Sequence, residues 1–193
     1  MDILKLSEQN QQTAWKILED SQLVRLWENI GGKVHIVGSL QTGLLIHKDI
    51  DIHVYTNNIS IKDSFSVMAE LAQRLNFTDI QYKNGIDTEE ECLEWHALFE
   101  DKNKNVWKLD LIHIRKGSKY DGVVEKVTEA IHKKLTPELR ETILGIKYDM
   151  PNNAIIPGIE VYYAVFTGNV KSYDELLLWK RDNPLTDSLN WMP

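Results

Sequence analysis

Two short stretches of this sequence combine residue types that could act together on a phosphate group. The first is Val37-Gly38-Ser39, and the second, Asp49-Ile50-Asp51-Ile52, comes after nine intervening residues. A glycine lets backbone amides come close to a phosphate, and a serine hydroxyl beside a helix N-terminus donates a hydrogen bond to it. Gly38 and Ser39 are therefore candidate phosphate-binding residues.

The second stretch alternates between polar and apolar residues, which is typical of a half-buried β-strand. The alternation puts Asp49 and Asp51 on the same face, about 6.6–7 Å apart along the strand. Two carboxylates this close repel one another unless they are protonated or share a cation. Hard divalent ions such as Mg²⁺ bind carboxylate oxygens together with phosphates, so Asp49 and Asp51 are candidate metal ligands.

A third carboxylate, Asp110, lies in the otherwise apolar run of residues 107–114, within a strand predicted over residues 106–114. The polar residues 100–105 precede it and predict the loop of a hairpin, with residues 92–99 as the other strand. A carboxylate on a strand next to Asp49 and Asp51 would complete a site for two metal ions about 3.5–4 Å apart. Asp110 is the candidate for that position.

Together, Val37-Gly38-Ser39, the nine-residue gap and Asp49-Ile50-Asp51-Ile52 resemble the signature of the DNA polymerase β-like nucleotidyltransferase superfamily, in its small bacterial type. That signature is a hydrophobic residue, Gly, Gly or Ser, a gap of similar size, and a strand of Asp, a hydrophobic residue and Asp or Glu. With Asp110 and the order of elements, the resemblance extends over residues 33–116. His47-Lys48 departs from the common form and is similar to the version in small antibiotic-modifying members.

The resemblance implies an α+β fold with a nucleotidyltransferase-type mixed β-sheet flanked by helices, followed by a C-terminal helical subdomain. It also implies transfer of a nucleoside monophosphate from a nucleoside triphosphate to a hydroxyl group, with two Mg²⁺ ions. In that reaction Gly38 and Ser39 would hold the triphosphate. Asp49 and Asp51 would bind both metal ions, and Asp110 would bind the catalytic ion and help to deprotonate the acceptor.

The acceptor is not identified by any motif, which leaves a small hydroxylated molecule or a protein side chain. The net charge of −7 disfavours a long nucleic acid. The alternative function is that of a catalytically silent nucleotide-binding protein or an antitoxin-like regulator with the same fold. The three carboxylates favour the enzyme, because binding alone does not require three metal ligands.

The 193 residues suffice for one domain with a small helical addition. The predicted boundary separates a nucleotidyltransferase-like core with N-terminal helices, residues 1–117, from a helical subdomain packed on it, residues 118–193. Ser7 is predicted to cap the first helix, and residues 20–29 are predicted to form a second one. A short helix is predicted over residues 40–46, and a short strand over residues 78–82. Three further helix starts are predicted from a capping residue paired with a residue in the first helical turn: Ser60 with Asp63, Thr136 with Pro137, and Ser172 with Glu175.

Composition places the chain among ordinary globular proteins, since 42% of its residues are apolar and 26% are charged. The single cysteine, Cys92, excludes an internal disulfide framework and a cysteine-based zinc site. With no apolar run of membrane-spanning length and no signal peptide, we expect a soluble cytoplasmic protein.

The remaining polar residues have simpler explanations. His53 shares the face of Asp51 and is expected to be an ordinary polar residue of the strand. His96 and His113 pair with no nucleophile, which argues against a histidine-based hydrolase. Basic residues that come after the Asp110 strand, and those near the end of the chain, are expected to face solvent: Arg115, Lys116, Lys119, Lys180 and Arg181.

Overall fold

The computed structural model of the protein describes residues 2–151, 154–186 and 191–193. Within these residues, a five-stranded mixed β-sheet and eight helices form an α+β fold, which confirms the predicted fold class. The strands are β1 (Lys33–Val37), β2 (Asp49–Thr56), β3 (Phe77–Gly85), β4 (Cys92–Glu100) and β5 (Val106–Arg115). The helices are α1 (Ile3–Ser21), α2 (Leu23–Glu28), α3 (Gly38–Thr42), α4 (Ile61–Leu75), α5 (Val123–Lys134), α6 (Pro137–Asp149), α7 (Gly158–Gly168) and α8 (Tyr173–Asp182).

The strands lie in the order β1-β2-β5-β4-β3. β2 and β5 are parallel, and every other pair is antiparallel. One face of the sheet is apolar and packs against α1, α2 and α4 in a core that contains Trp27, Trp95 and Trp107. The opposite face carries the predicted site residues, because Asp49, Asp51 and Asp110 alternate with the buried residues of their strands.

Three predicted helix starts are confirmed. The side chains of Ser60, Thr136 and Ser172 each accept a hydrogen bond from the backbone N–H three residues later. The prediction for Ser7 is wrong, because Asp2 caps α1 and Ser7 is fully buried inside the helix.

Three further elements differ in their extent from the prediction. The predicted helix over residues 20–29 is shorter, because Gln22 adopts a left-handed conformation that ends α1 and starts α2. The short helix predicted over residues 40–46 begins at Gly38 and ends at Thr42. β3 is nine residues long, longer than the predicted strand over residues 78–82, because its pairing with β4 continues through Asn84 and Gly85.

A second apolar core joins α5, α6, α7 and α8, with Ile143, Val161 and Leu176 fully buried within it. Leu44 and Ile46, from the connection between α3 and β2, belong to this core, and the start of α1 packs against it. The C-terminal helices therefore cover the same end of the sheet at which the predicted site lies. None of the helices in the described ranges is long and apolar enough to cross a membrane.

Candidate functional site

A single row of residues crosses four strands of the open sheet face. Asp51 on β2 is the register partner of Asp110 on β5, and Asp110 is the partner of His96 on β4. His96 is in turn the partner of Gln81 on β3. Neighbouring strands are about 4.8 Å apart, so the two predicted carboxylates of this row stand side by side, with a histidine next to them.

The three predicted carboxylates line one cleft together with Gly38 and Ser39. Burial raises the pKa of Asp51, and the charges of Asp49 and Asp110 raise it further. Asp49 is also incompletely compensated, because its buried Oδ1 has no hydrogen-bond partner among the described residues. Such a group of oxygen atoms attracts a proton or a cation.

Gly38 allows the first turn of α3 to lie directly against Asp51. Its φ is +63°, and a Cβ atom at this position would lie 2.4 Å from Oδ2 of Asp51. No other residue type therefore fits here without moving the carboxylate. Val37 is the register partner of Asp51, so the pairing of β1 with β2 sets this approach.

Ser39 is held by residues from the C-terminal helices. Nζ of Lys147, on α6, donates to Oγ of Ser39 at 2.8 Å and to the carbonyl of Leu44 at 2.8 Å. The hydroxyl of Tyr162, on α7, lies 3.3 Å from the same Oγ. A buried ammonium group therefore stands next to the predicted phosphate-binding serine.

Lys147 and Tyr162 were not among the residues predicted from the sequence. Lys147 is only 4% exposed, and it lies four residues after the fully buried Ile143, on the apolar stripe of α6. A lysine in such a stripe is the signal that would have indicated it, because lysine is rarely buried without a partner.

Asp110 is engaged by two neighbours in this structure. His96 Nδ1 lies 2.6 Å from Oδ1 of Asp110, and Lys108 Nζ lies 2.7 Å from Oδ2. His96 therefore pairs with a predicted site carboxylate. Sequence reasoning missed this contact because it depends on the register of the β4–β5 hairpin.

The other polar residues considered from the sequence lie elsewhere. His53 contacts Glu125 on α5, with 3.0 Å between Nδ1 and Oε1. His113 faces the opposite side of the sheet from Asp110, with its ring 4.9 Å from that of Trp27. The basic residues Arg115, Lys119 and Lys180 form ion pairs with Glu91, Glu89 and Glu160, respectively.

The connection between Ser39 and Asp49 is fixed at its backbone. Its carbonyl groups accept hydrogen bonds from side chains of α1 and α6. Asn10 donates to the carbonyl of Ile46 at 2.8 Å. The other contacts join Ser7 and Arg140 to the carbonyl of Gly43, and Lys147 to that of Leu44.

The cleft has a volume of about 460 Å³ and is bounded by the sheet on one side and by α5, α6 and α7 on the other. His47 also lines it. Burial and the positive charge of Lys147 lower the pKa of His47, so this side chain is neutral at pH 7. The cleft thus has a carboxylate-rich end at the sheet and a cationic group, Lys147, at Ser39.

The donor chemistry of these residues suits a hard divalent cation. Three carboxylates face one cleft, the pKa of one is raised by the other two, and a buried oxygen of Asp49 has no donor among the described residues. Mg²⁺ binds oxygen ligands of this kind, usually with phosphate oxygens as further ligands.

No protein-family model matches the sequence, and no curated protein matches it either. Similar solved structures include Cid1 in complex with its short product ApU, at 13% identity and a TM-score of 0.50 over 92% of this chain. The Cid1 poly(U) polymerase bound to MgATP is 16% identical, with a TM-score of 0.50 over 86% of this chain. The STING-associated CdnE c-di-GMP synthase from Capnocytophaga granulosa is 11% identical, with a TM-score of 0.51 over 96%.

The chain spans about half the length of the two Cid1 structures, 53% and 52%, and 66% of the CdnE chain. At these identities the likeness concerns the fold. It agrees with the mixed sheet, with the helices on its flanks and with the resemblance seen in the sequence. The chain therefore has the DNA polymerase β-like nucleotidyltransferase fold.

Proposed function

We propose that this protein is a metal-dependent nucleotidyltransferase, which transfers a nucleoside monophosphate from a nucleoside triphosphate to a hydroxyl group of a small molecule or a protein. The observation that carries the proposal is the convergence of Asp49, Asp51 and Asp110 on one cleft that also contains Gly38 and Ser39. Both groups of residues serve the same reaction, because the carboxylates would bind the cation and the glycine–serine turn would contact the phosphates of the same nucleotide.

The triphosphate would lie between the first turn of α3 and α6. Gly38 lets the backbone of this turn lie directly against Asp51, and Ser39 offers a hydroxyl. Lys147 supplies a positive charge that is 2.8 Å from that hydroxyl. A buried ammonium interacts strongly with phosphate because little water screens it, so Lys147 would neutralise charge on the phosphates and orient them.

Asp49, Asp51 and Asp110 would hold Mg²⁺. When bound, the ion would neutralise charge on the triphosphate and lower the pKa of the acceptor hydroxyl. Asp110 lies on the side of Asp51 away from β1 and α3, since β5 is the next strand in the sheet. Asp110 would therefore orient the acceptor hydroxyl or accept its proton, while the pyrophosphate leaves toward Ser39 and Lys147.

A second function, nucleotide binding without transfer, is favoured by one observation. Asp110 is already paired with His96 and with Lys108. These two contacts reduce the charge that Asp110 offers to a cation. A regulatory protein of this fold could retain the nucleotide site while this carboxylate stays paired.

Isothermal titration calorimetry with a non-hydrolysable nucleoside triphosphate tests the site. We expect binding that requires Mg²⁺ and that is lost in the Asp49→Ala and Asp51→Ala variants. Asp87→Ala serves as the matched control, because Asp87 is exposed in the turn after β3. Binding that is unaffected by the first two substitutions would contradict the assignment of the site.

Release of pyrophosphate distinguishes transfer from binding. The protein is incubated with Mg²⁺, each of the four nucleoside triphosphates and panels of hydroxylated small molecules and of proteins. The enzyme is expected to release pyrophosphate with at least one acceptor, and Asp110→Asn is expected to abolish this release. Nucleotide binding without pyrophosphate release across the panels would favour the silent, regulatory function.

A further inference from the structure

β3 lies at the edge of the sheet, and no strand of the described ranges pairs with its outer side. Its residues 78–84 are exposed on both faces. An edge strand of this length presents a row of unpaired backbone N–H and C=O groups, which is a template for pairing with another strand.

The charges of β3 are arranged symmetrically. On the open face of the sheet, Asp79 and Lys83 stand two residues before and two residues after Gln81. If β3 pairs antiparallel with β3 of a second copy about a two-fold axis at Gln81, each Asp79 lies opposite Lys83 of the other copy. Opposite charges at directly opposed positions stabilise an antiparallel pair, and like charges destabilise it.

If the two-fold axis is moved by one residue in either direction, Asp79 no longer lies opposite Lys83 of the other copy. With the axis at Ile80, Asp79 would face Gln81, and with the axis at Tyr82, Lys83 would face Gln81. A strand that is protected against pairing usually carries lysines or inward-pointing charges along its edge. β3 instead carries one charge of each sign, at positions that the two-fold axis exchanges.

The centre of the other face of β3 is apolar. Ile80 is 45% exposed and Tyr82 is 37% exposed, and in the same register each lies opposite the other residue of the second copy. Phe65 of α4 is 45% exposed and packs its ring 4.8 Å from that of Tyr82. The strand thus offers an apolar patch on one face and complementary charges on the other, as an isologous interface requires.

We propose that two copies of this chain associate through antiparallel pairing of β3 with β3, centred on Gln81, to form one continuous ten-stranded sheet. The regular part of the pairing begins at Asp79, because the β3–β4 register shifts between Phe77 and Asp79. Lys83 contacts Glu90 and Glu94 within its own chain, and with 57% of its side chain exposed it can also reach Asp79 of the second copy.

This association would place both open faces on the same side of the joined sheet. Asp110 is two strands from β3 in each copy, so five strand spacings, about 24 Å, would separate the two Asp110 residues. Gln81 and His96 of both copies would form a continuous polar surface between the two clefts. The association does not depend on the proposed function, because β3 alone provides its central contacts.

The test is a charge exchange, measured by analytical ultracentrifugation of the full chain between 1 and 100 μM. Wild-type protein is expected to sediment as a dimer of the 22.4 kDa chain. Asp79→Lys and Lys83→Glu are each expected to weaken the dimer by roughly tenfold or more, because each creates two like-charge pairs. An equimolar mixture of the two variants is expected to restore dimers, since both charge pairs are again opposite in the mixed dimer.

The control variants make the same two charge reversals at positions outside β3. Asp87→Lys and Lys171→Glu alter exposed residues outside β3 and are expected to leave the dimer unchanged. Circular dichroism verifies that every variant is folded. A wild-type protein that is monomeric at 100 μM would overturn the proposal. So would a dimer that both β3 variants leave intact, or two weakened variants that do not associate when mixed.

Discussion

Gly38 and Asp51 are packed so closely that the position of the carboxylate depends on the absence of a side chain at residue 38. A Cβ atom on Gly38 would lie 2.4 Å from Oδ2, 3.1 Å from Cγ and 3.3 Å from Cβ of Asp51. Rotation of the Asp51 side chain alone cannot relieve all three contacts. The turn proposed to bind phosphate and the strand proposed to bind metal are therefore parts of one packed unit.

Gly38→Ala is expected to abolish Mg²⁺-dependent nucleotide binding, because Asp51 must move to make room for the methyl group. It should also lower the free energy of unfolding by more than the approximately 1–2 kcal/mol that a left-handed backbone costs a residue with a side chain. Gly31→Ala is the matched control, since Gly31 has a φ of +82° and open space around it. Calorimetry measures nucleotide binding, and urea unfolding measures the free energy of unfolding. Equal losses of binding in Gly38→Ala and Gly31→Ala would contradict the close contact between Gly38 and Asp51.

Asp51→Asn is expected to stabilise the metal-free protein while it removes Mg²⁺ binding. Burial, Asp49 and Asp110 raise the pKa of Asp51 above its ordinary value of 3.8. The folded protein therefore binds this proton more tightly than the unfolded chain does, and its stability falls as the pH rises above 4. Asparagine carries no such penalty, so the gain should be small near pH 4 and, for a pKa raised to about 7, on the order of 4 kcal/mol at pH 8.

Urea unfolding in the presence of a chelator, at pH 4.5, 6 and 8, measures this gain. Addition of Mg²⁺ should then stabilise the wild-type protein and leave the Asn variant unchanged. A variant that is less stable than the wild type at pH 8 would show that the three carboxylates do not repel one another.

Lys147→Met is expected to weaken binding of a nucleoside triphosphate by roughly tenfold to a hundredfold, the range of one hydrogen bond to a charged group. Binding of the corresponding monophosphate should change much less, because Lys147 lies at Ser39, where the leaving phosphates are proposed to bind. Lys126→Met removes an exposed lysine of α5 and is the control. Equal losses for triphosphate and monophosphate would place Lys147 outside the phosphate site.

His113 makes the stability of the fold depend on pH. Burial lowers its pKa to about 4, below the ordinary value near 6.5. The unfolded chain therefore binds a proton that the folded protein does not, between pH 6.5 and pH 4, and stability falls as the pH falls through this window. At pH 5 this one group is expected to cost roughly 2 kcal/mol relative to pH 8.

His113→Gln removes the titrating ring and keeps an amide that can bond to Thr56, whose Oγ1 lies 2.8 Å from Nε2 of His113. The free energy of unfolding of this variant should depend less on pH between 8 and 5 than that of the wild type. Urea unfolding at both pH values gives the difference. An equal pH dependence in the two proteins would show that His113 is not held in its neutral form.

The alternation of β2 and the shared face of its two carboxylates could be predicted because they depend on local patterns. Strand alternation placed Asp49 and Asp51 on one face, and the structure brings Asp110 beside Asp51 in the next strand. Hydrophobic periodicity and capping residues likewise identified α4, α6 and α8. Strand alternation and helix capping require only residues that are close in sequence, whereas Asp110 lies beside Asp51 through the pairing of β5 with β2.

Prediction of the contact between His96 and Asp110 required the correct length of the β4–β5 hairpin loop. Residues 100–105 are the predicted hairpin loop, but Glu100 already pairs with Val106, which leaves a loop of residues 101–105. Asp101 closes that loop by accepting hydrogen bonds from the backbone N–H groups of Asn103 and Asn105. A difference of one residue in the loop changes which residues face each other across the hairpin.

Lys147 and Tyr162 could not be placed from local patterns. They are separated from Ser39 by 108 and 123 residues, and only the packing of α6 and α7 brings them there. The buried position of Ser7 has the same origin, since its hydroxyl bonds to Gly43, 36 residues later. Contacts of this kind depend on how helices pack, which single-sequence patterns do not specify.

The backbone contacts along the connection from α3 to β2 restrict the number of residues in this connection. They restrict the identity of its polar residues much less. Every residue has a carbonyl group, so the hydrogen bonds from Asn10 and Lys147 survive substitution of the residues that accept them. An inserted or deleted residue would instead shift every later carbonyl away from its donor. Evolution can therefore vary the side chains of this connection that line the cleft, such as His47, while the distance from the Gly38-Ser39 turn to the Asp49–Asp51 strand stays constant.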